Sequence, residues 1–217
     1  MVISNLNCKR IFQEAYENRY TWPKTFSGYK GKFKYSSSQK VFNGEFEIGK
    51  NFKPEIKNIS EENIVKGVSS QLFEVAIHRV KREFNDIHLN NEFEFLSESE
   101  DGIKMRVSGK NDGDKYQIFD KKINMVFRKI HGVIIEIFVG DFLDTGKGFL
   151  SSKYTSQQID PENFSPKSKK VKYVDNFIRL KNVDIWVLES RDIYVLDEND
   201  NEILHRYAFS ELVCNES

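Results

Sequence analysis

The chain has 217 residues, in which 33 lysines and arginines are balanced by 33 aspartates and glutamates. That balance leaves no global field to draw in a polyanion, so nucleic acid is excluded as the expected partner. Its 18 phenylalanines and 9 tyrosines compensate for a modest hydrophobic share, because each aromatic ring buries roughly 150–250 Å².

The N-terminal segment shows no apolar stretch followed by a small-residue cleavage site. No window approaches about 18 uncharged apolar residues. A soluble cytoplasmic protein without a transmembrane segment is therefore expected, with peripheral membrane contact left open. Cys8 and Cys214 stand at opposite ends of the chain, which predicts free thiols in a reducing compartment.

Ser4 is placed to cap a first helix within residues 1–22, running to about Tyr20 with Phe12, Ala15 and Tyr16 on its apolar face. Trp22-Pro23 ends it, since a residue before proline is pushed out of the α region. Tyr29, Gly31, Phe33 and Tyr35 then alternate. A turn over Ser36–Gln39 follows, and Phe42, Gly44, Phe46 and Ile48 alternate in their turn. Period two with aromatics on one side predicts a hairpin with one buried face. A short edge strand from Pro54 to Ile59 completes strands over 29–59. Ser60-Glu61-Glu62 opens a second helix over 60–84, whose Ile64, Val68, Leu72, Val75 and Ala76 form a stripe to lie on the sheet.

From 92 to 213 the pattern is β alone. Phe93 and Phe95, then Ile103, Met105 and Val107, then Tyr116 and Ile118 mark successive strands. Two apolar runs meet at a hairpin turn, His131-Gly132. Val133–Val139 is almost wholly apolar and is expected to be covered on both faces in the middle of the sheet. Asp144–Gly148 turns into a further run, and residues 159–170 read as an exposed loop. The last strands are expected over 171–180, 183–189, 192–196 and 202–213, with Asp197–Asn201 as a turn. Two helices and about ten antiparallel strands predict an α+β, mostly antiparallel single domain over residues 1–217. Its expected form is a large curled open sheet or incomplete β-barrel, with the helix at 60–84 on the concave face.

Candidate chemistry is sparse. Asp144-Thr145-Gly146 resembles the aspartic-protease triplet, but that reaction needs two carboxylates sharing a proton, and no second copy exists. Gly146-Lys147-Gly148 lacks the spacing of a phosphate loop and leads into a strand. His78, His88, His131 and His205 have no metal-ligand spacing. Lys167, Lys169, Lys170 and Lys172 read as a solvated loop. No catalytic residue, metal or cofactor is assigned, and the reading leans away from an enzyme. The aromatics remain. Most fill the core, but a sheet that curls without closing offers a concave face to an apolar ligand. The candidate ligand-binding residues are Phe33, Phe42, Phe46, Phe93, Phe95, Tyr116 and Phe127, subject to register, since a slip of one residue exchanges the faces.

The segments RYTW, FSGYKGKF, FNGEFEI, HRVKREF, VSGKNDGDKY, VFRKIHGVIIEIF, LDTGKGFLSSKYTSQQIDP and VKYVDNFIRL give the chain a resemblance to a family of uncharacterised proteins of about this length. The family comes from cyanobacteria and their photosynthetic relatives. The resemblance covers nearly the whole chain and implies no activity and no catalytic residues. More loosely, the order helix, hairpin, helix, long meander is similar to LolA/LolB-like lipoprotein carriers, in which helices cover the opening of an incomplete antiparallel barrel. Unlike those carriers, this chain shows no signal peptide or lipobox. The resulting expectation is a non-catalytic soluble binding or carrier protein for an apolar or amphipathic ligand, a lipid or a pigment. The alternative is a protein–protein assembly factor in photosynthetic cells.

Overall fold

The computed structural model describes residues 5–38, 40–181 and 183–215. The expected Ser4 cap and the turn residue Gln39 lie outside the described residues. The elements follow in the order α1 (Asn5–Glu17), β1 (Tyr29–Ser37), β2 (Lys40–Ile48), β3 (Pro54–Lys57), α2 (Glu62–Arg79), α3 (Phe84–His88), β4 (Asn91–Ser99), β5 (Gly102–Gly109), β6 (Lys115–Phe119), β7 (Lys122–Ile130), β8 (Val133–Asp144), β9 (Phe149–Ile159), β10 (Val171–Arg179), β11 (Trp186–Leu196) and β12 (Glu202–Cys214). The strands hydrogen-bond in the order β3-β2-β1-β12-β11-β10-β9-β8-β7-β6-β5-β4, an open sheet that does not close into a barrel. The predicted class, α+β and mostly antiparallel, is the observed one. Among the described residues no helix is long and apolar enough to cross a membrane.

Contacts gather in two compact units, one of Met1–Tyr20 with Arg82–Lys172 and one of Thr21–Lys81 with Tyr173–Ser217. The first unit is the β4–β9 meander with α1 laid on one face. Register places Phe93 opposite Val107 and Met105 opposite Tyr116, so all four share that face. The Phe12 ring of α1 sits 4.7 Å from both the Phe93 and Tyr116 rings. The β7–β8 turn is the expected pair, His131 (φ 48) and Gly132 (φ 82), with Ile130 facing Val133. Positive φ at both positions matches the strand twist.

In the second unit β3-β2-β1-β12-β11-β10 carries α2 on its buried face. Phe33 stands opposite Gly44, and a Cβ at Gly44 would come within 2.5 Å of the Phe33 ring; the glycine is there because the ring occupies its side-chain space. α2 is fastened to two strands. Ser69 donates to the Pro54 carbonyl of β3, and Gln71 and Glu74 meet Arg191 of β11.

Four expectations are corrected. The first helix stops at Glu17, short of Tyr20, because Asn18–Tyr20 straightens to pair with Phe149: Phe149 N–H donates to the Asn18 carbonyl at 2.9 Å and Tyr20 N–H to the Phe149 carbonyl at 3.0 Å. The helix expected over 60–84 breaks after Arg79, where Val80 turns extended and bridges Trp22, and a separate short helix, α3, follows. β11 is one strand through 186–196, with no interruption at 190–191. β8 is not covered on both faces, since Phe138 is 42% exposed.

Candidate functional site

The aromatics singled out from the sequence fall in two groups. Phe33 and Phe46 are buried on the α2-covered face of the second unit, with Phe46 edge-on to Tyr29 and Phe209. Phe42, half-buried, stacks on Tyr35. In the first unit Phe93 and Tyr116 are buried around Phe12, and Phe95 packs half-buried against that cluster. Phe127 pairs with Lys115 and Glu136 while its neighbour Val126 pairs with Tyr116. Phe127 therefore lies on the opposite face, stacked on Phe164.

Two polar clusters also lie under the helices, and sequence patterning found neither. In the second unit Arg191, 2% exposed, clasps Asp175 through two parallel bonds, Nε to Oδ1 at 2.8 Å and Nη2 to Oδ2 at 2.7 Å. Its Nη1 donates to Gln71 Oε1 at 2.9 Å. A buried charge demands such pairing, and the fork geometry of arginine supplies it. The cluster holds α2 to the sheet.

In the first unit His88 Nδ1 lies 2.9 Å from Asn91 Nδ2. The amide donates, so the ring proton sits on Nε2. Burial, together with the charges of Arg128, Arg19 and Lys110, pushes the His88 pKa down to about 4. Nearby, burial raises the Asp114 carboxyl while Arg128, donating to it at 2.9 Å, opposes the rise. Both groups pack with the aromatic rings around α1 and serve that core.

The third constellation opens to solvent and lies within the second unit. Trp22 N–H donates to the Arg79 carbonyl at 2.7 Å, satisfying an end carbonyl of α2, and its indole Nε1 donates to the Trp186 carbonyl at 2.9 Å. Both donors are engaged inside the protein, and the ring itself is buried, 1% exposed. Phe26 meets it edge-on at 5.0 Å, and Phe52 lies tilted at 5.4 Å. Phe52 has φ 56, a left-handed conformation that costs a non-glycine residue roughly 1–2 kcal/mol. The turn is closed by Phe52 N–H donating to the Gly49 carbonyl at 2.9 Å. This strain holds an aromatic ring over Trp22.

Together these residues border a concavity of about 350 Å³ that Lys24, Lys50 and Lys81 also line. Among the described residues that line it, none is acidic. A second concavity, of about 350 Å³, runs along Ser36–Ser38 and Glu202–Arg206, but it mixes both charges and has no aromatic floor. The first sets the half-buried Phe52 ring beside exposed lysines.

Sequence reading took Trp22-Pro23 only as a helix stop and left Phe52 unassigned. The available signal was the pairing of two turn-forming stretches, 22–26 and 49–52, the first with two aromatics and a lysine and the second with one of each. Nothing in either stretch says that they meet.

A family model described as a protein of unknown function, DUF3386, matches residues 3–214. None of the curated proteins matches the chain. Two solved structures are similar over most of its length. One is a DUF1329 family protein from Desulfovibrio piger, 9% identical, covering 96% of this chain and 93% of its own, with a TM-score of 0.30. The other is a putative outer membrane lipoprotein-sorting protein domain from Vibrio parahaemolyticus, 8% identical, covering 98% and 94%, with a TM-score of 0.30.

Proposed function

The chain belongs to the DUF3386 family of proteins of unknown function, and we propose that it is a non-catalytic binding or carrier protein for an amphipathic small molecule, seated in the groove at Trp22. The observation that supports this reading is a concavity of about 350 Å³ where the half-buried Phe52 ring lies over the buried rings of Trp22 and Phe26. Apolar surface gives affinity at roughly 25 cal/mol per Å² removed from water, and a polar edge fixes orientation. Phe33 and Phe46 in the second unit, and Phe93 and Tyr116 in the first, then act as core, with Phe42 and Phe95 half-buried beside them and Phe127 on the opposite face. We place the protein in the cytoplasm, a reading supported by the free thiols of Cys8 and Cys214.

The chain has two tryptophans, which allows a direct test. A Trp186→Phe variant keeps the backbone carbonyl that Trp22 uses and leaves Trp22 as the lone indole emitter. Bromine on an alkyl chain quenches indole fluorescence at short range, so a chain seated on Phe52 reports on the Trp22 ring buried beneath it. Titration with bromoundecanol or bromoundecanoic acid, below their aggregation concentrations, is expected to quench Trp22 saturably. Phe52→Ala should weaken that binding by about tenfold, through lost apolar contact. Absence of saturable quenching by both compounds would remove the proposal.

A further inference from the structure

We propose that Arg19 and Arg82 form a binding site for a phosphate-type oxyanion, with the fork of Arg19 as its bidentate partner and Arg82 as the second cation. Both residues belong to the first unit, whereas the groove at Trp22 belongs to the second, so neither reading rests on the other. Tyr16 joins the two arginines. Arg19 follows the end of α1, in the segment that straightens to pair with Phe149. Its Nε donates to the Tyr16 carbonyl at 2.9 Å, and its Cζ lies 3.9 Å from the centroid of the Tyr16 ring. These two contacts to one residue orient the guanidinium. The Tyr16 hydroxyl in turn donates to the Arg82 carbonyl at 3.3 Å.

Arg19 is half-buried, and a charge withdrawn from water calls for a counter-charge. Among the described residues neither Arg19 nor Arg82 pairs with a carboxylate, and no acceptor takes the Nη groups of Arg19. The acids of α1 are engaged elsewhere: Glu14 lies 3.9 Å from Lys121, and Glu17 accepts from the Gln13 amide at 2.7 Å. The Tyr16 carbonyl and ring face offset part of the Arg19 charge but carry no formal charge of their own. Like charges gather instead. Burial lowers the Arg19 pKa and the Arg82 charge lowers it further, while Tyr16 and Tyr116 oppose the fall. Those tyrosines are neutral near pH 7. Arg128, Arg19 and Lys110 all act on His88 with the same sign, and of these Arg128 is answered by Asp114 at 2.9 Å.

The chemistry of the two side chains selects the anion. A guanidinium edge presents parallel N–H groups that match two oxygens of a phosphate or a carboxylate. One fork uses both oxygens of a carboxylate, whereas a phosphate keeps a further oxygen for the second arginine. Arg82 is exposed, which leaves the pair open to solvent.

Isothermal titration calorimetry of the whole chain with inorganic phosphate, at about pH 8 and constant ionic strength set with chloride, tests the site. Saturable binding is expected. Arg82→Gln changes an exposed residue and should weaken it about fivefold. Arg19→Lys keeps the charge but removes the fork, and should weaken it about tenfold, with a native circular dichroism spectrum confirming the fold. Arg10→Gln removes another exposed charge of α1 and should leave the affinity within about twofold. No saturable uptake of phosphate by the parent protein overturns the site. Undiminished binding by R19K or R82Q overturns the assignment to that arginine, and an equal loss in R10Q reduces the effect to diffuse charge and overturns both. Acetate binding as tightly as phosphate overturns the choice of anion. Phenyl phosphate separates the sources: tighter binding than inorganic phosphate marks the anion as the head of a larger ligand, equal binding marks free phosphate, and either result upholds the site.

Discussion

Buried ionisable side chains are the strongest constraints at the scale of single residues, and His88 gives the clearest consequence. Its ring is neutral in the folded protein because burial, with Arg128, Arg19 and Lys110 facing it, holds its pKa at about 4 against an ordinary 6.5. The unfolded chain takes up that proton first. The associated stability is therefore complete above about pH 6.5 and is lost as pH falls toward 4, by up to about 3 kcal/mol. Asp114, whose carboxyl is raised by burial, works in the opposite direction as it protonates. Denaturant unfolding of the parent protein at stepped pH should show the decline, and His88→Gln should fall less steeply over the same window. Parallel slopes would mean that His88 is not the source.

At the scale of elements, the most telling feature is how the chain leaves α1. The Asn18–Tyr20 segment pairs with Phe149 directly after the turn at Asp144–Gly148. Gly148 has φ +120, and a Cβ there would lie 2.8 Å from the Asn18 carbonyl oxygen and the Tyr20 nitrogen. Both neighbours are backbone and cannot swing away. Gly148→Ala is expected to cost about 2 kcal/mol or more, which a chain of this size reads as a fall in Tm of about 4–8 °C. Gly146, with φ +75 and nothing within 4 Å of its Cβ position, is the control: Gly146→Ala should cost only about 1 kcal/mol. Equal shifts for the two variants would show that the pairing with Asn18–Tyr20 contributes nothing. The turn within LDTGKGFLSSKYTSQ thus has an architectural use, receiving the segment that follows α1.

At the scale of the whole molecule, the chain alternates between the units, passing through the first, the second, the first and the second again, since each is built from two separated segments. Phe93, Met105, Val107 and Tyr116 owe their burial to the rings that α1 brings from the far N-terminus. A fragment of residues 82–172 is therefore expected to lack a cooperative melt and near-ultraviolet circular dichroism, because removing α1 uncovers that whole cluster. Supplying residues 1–20 in trans should restore both signals. A sharp melt of the fragment alone would show the meander to be self-sufficient.

The sequence by itself determined the class of the fold, most strand positions, the His131-Gly132 hairpin and the apolar stripe of α2. Those features depend on period-two or helical spacing and on turn residues, and all of that information is local. Tertiary structure alone decided the features that depend on distant partners. Ser190-Arg191 reads locally as a polar break, yet β11 passes straight through it, because Asp175 neutralises Arg191 and Arg206 neutralises the adjoining Asp192. The helix beginning at Glu62 ends at Arg79 because Val80 takes Trp22 as a strand partner. Of the candidate aromatics, alternation correctly placed Phe33, Phe42 and Phe46 on one face. The bulge between Gln117 and Ile118 shifts the pairing within the β6–β7 hairpin, and Phe127 faces away from Tyr116. The groove was illegible for the same reason. Its aromatics and lysines come from stretches without periodicity, and only the folding of α2 against the segment after α1 brings them together.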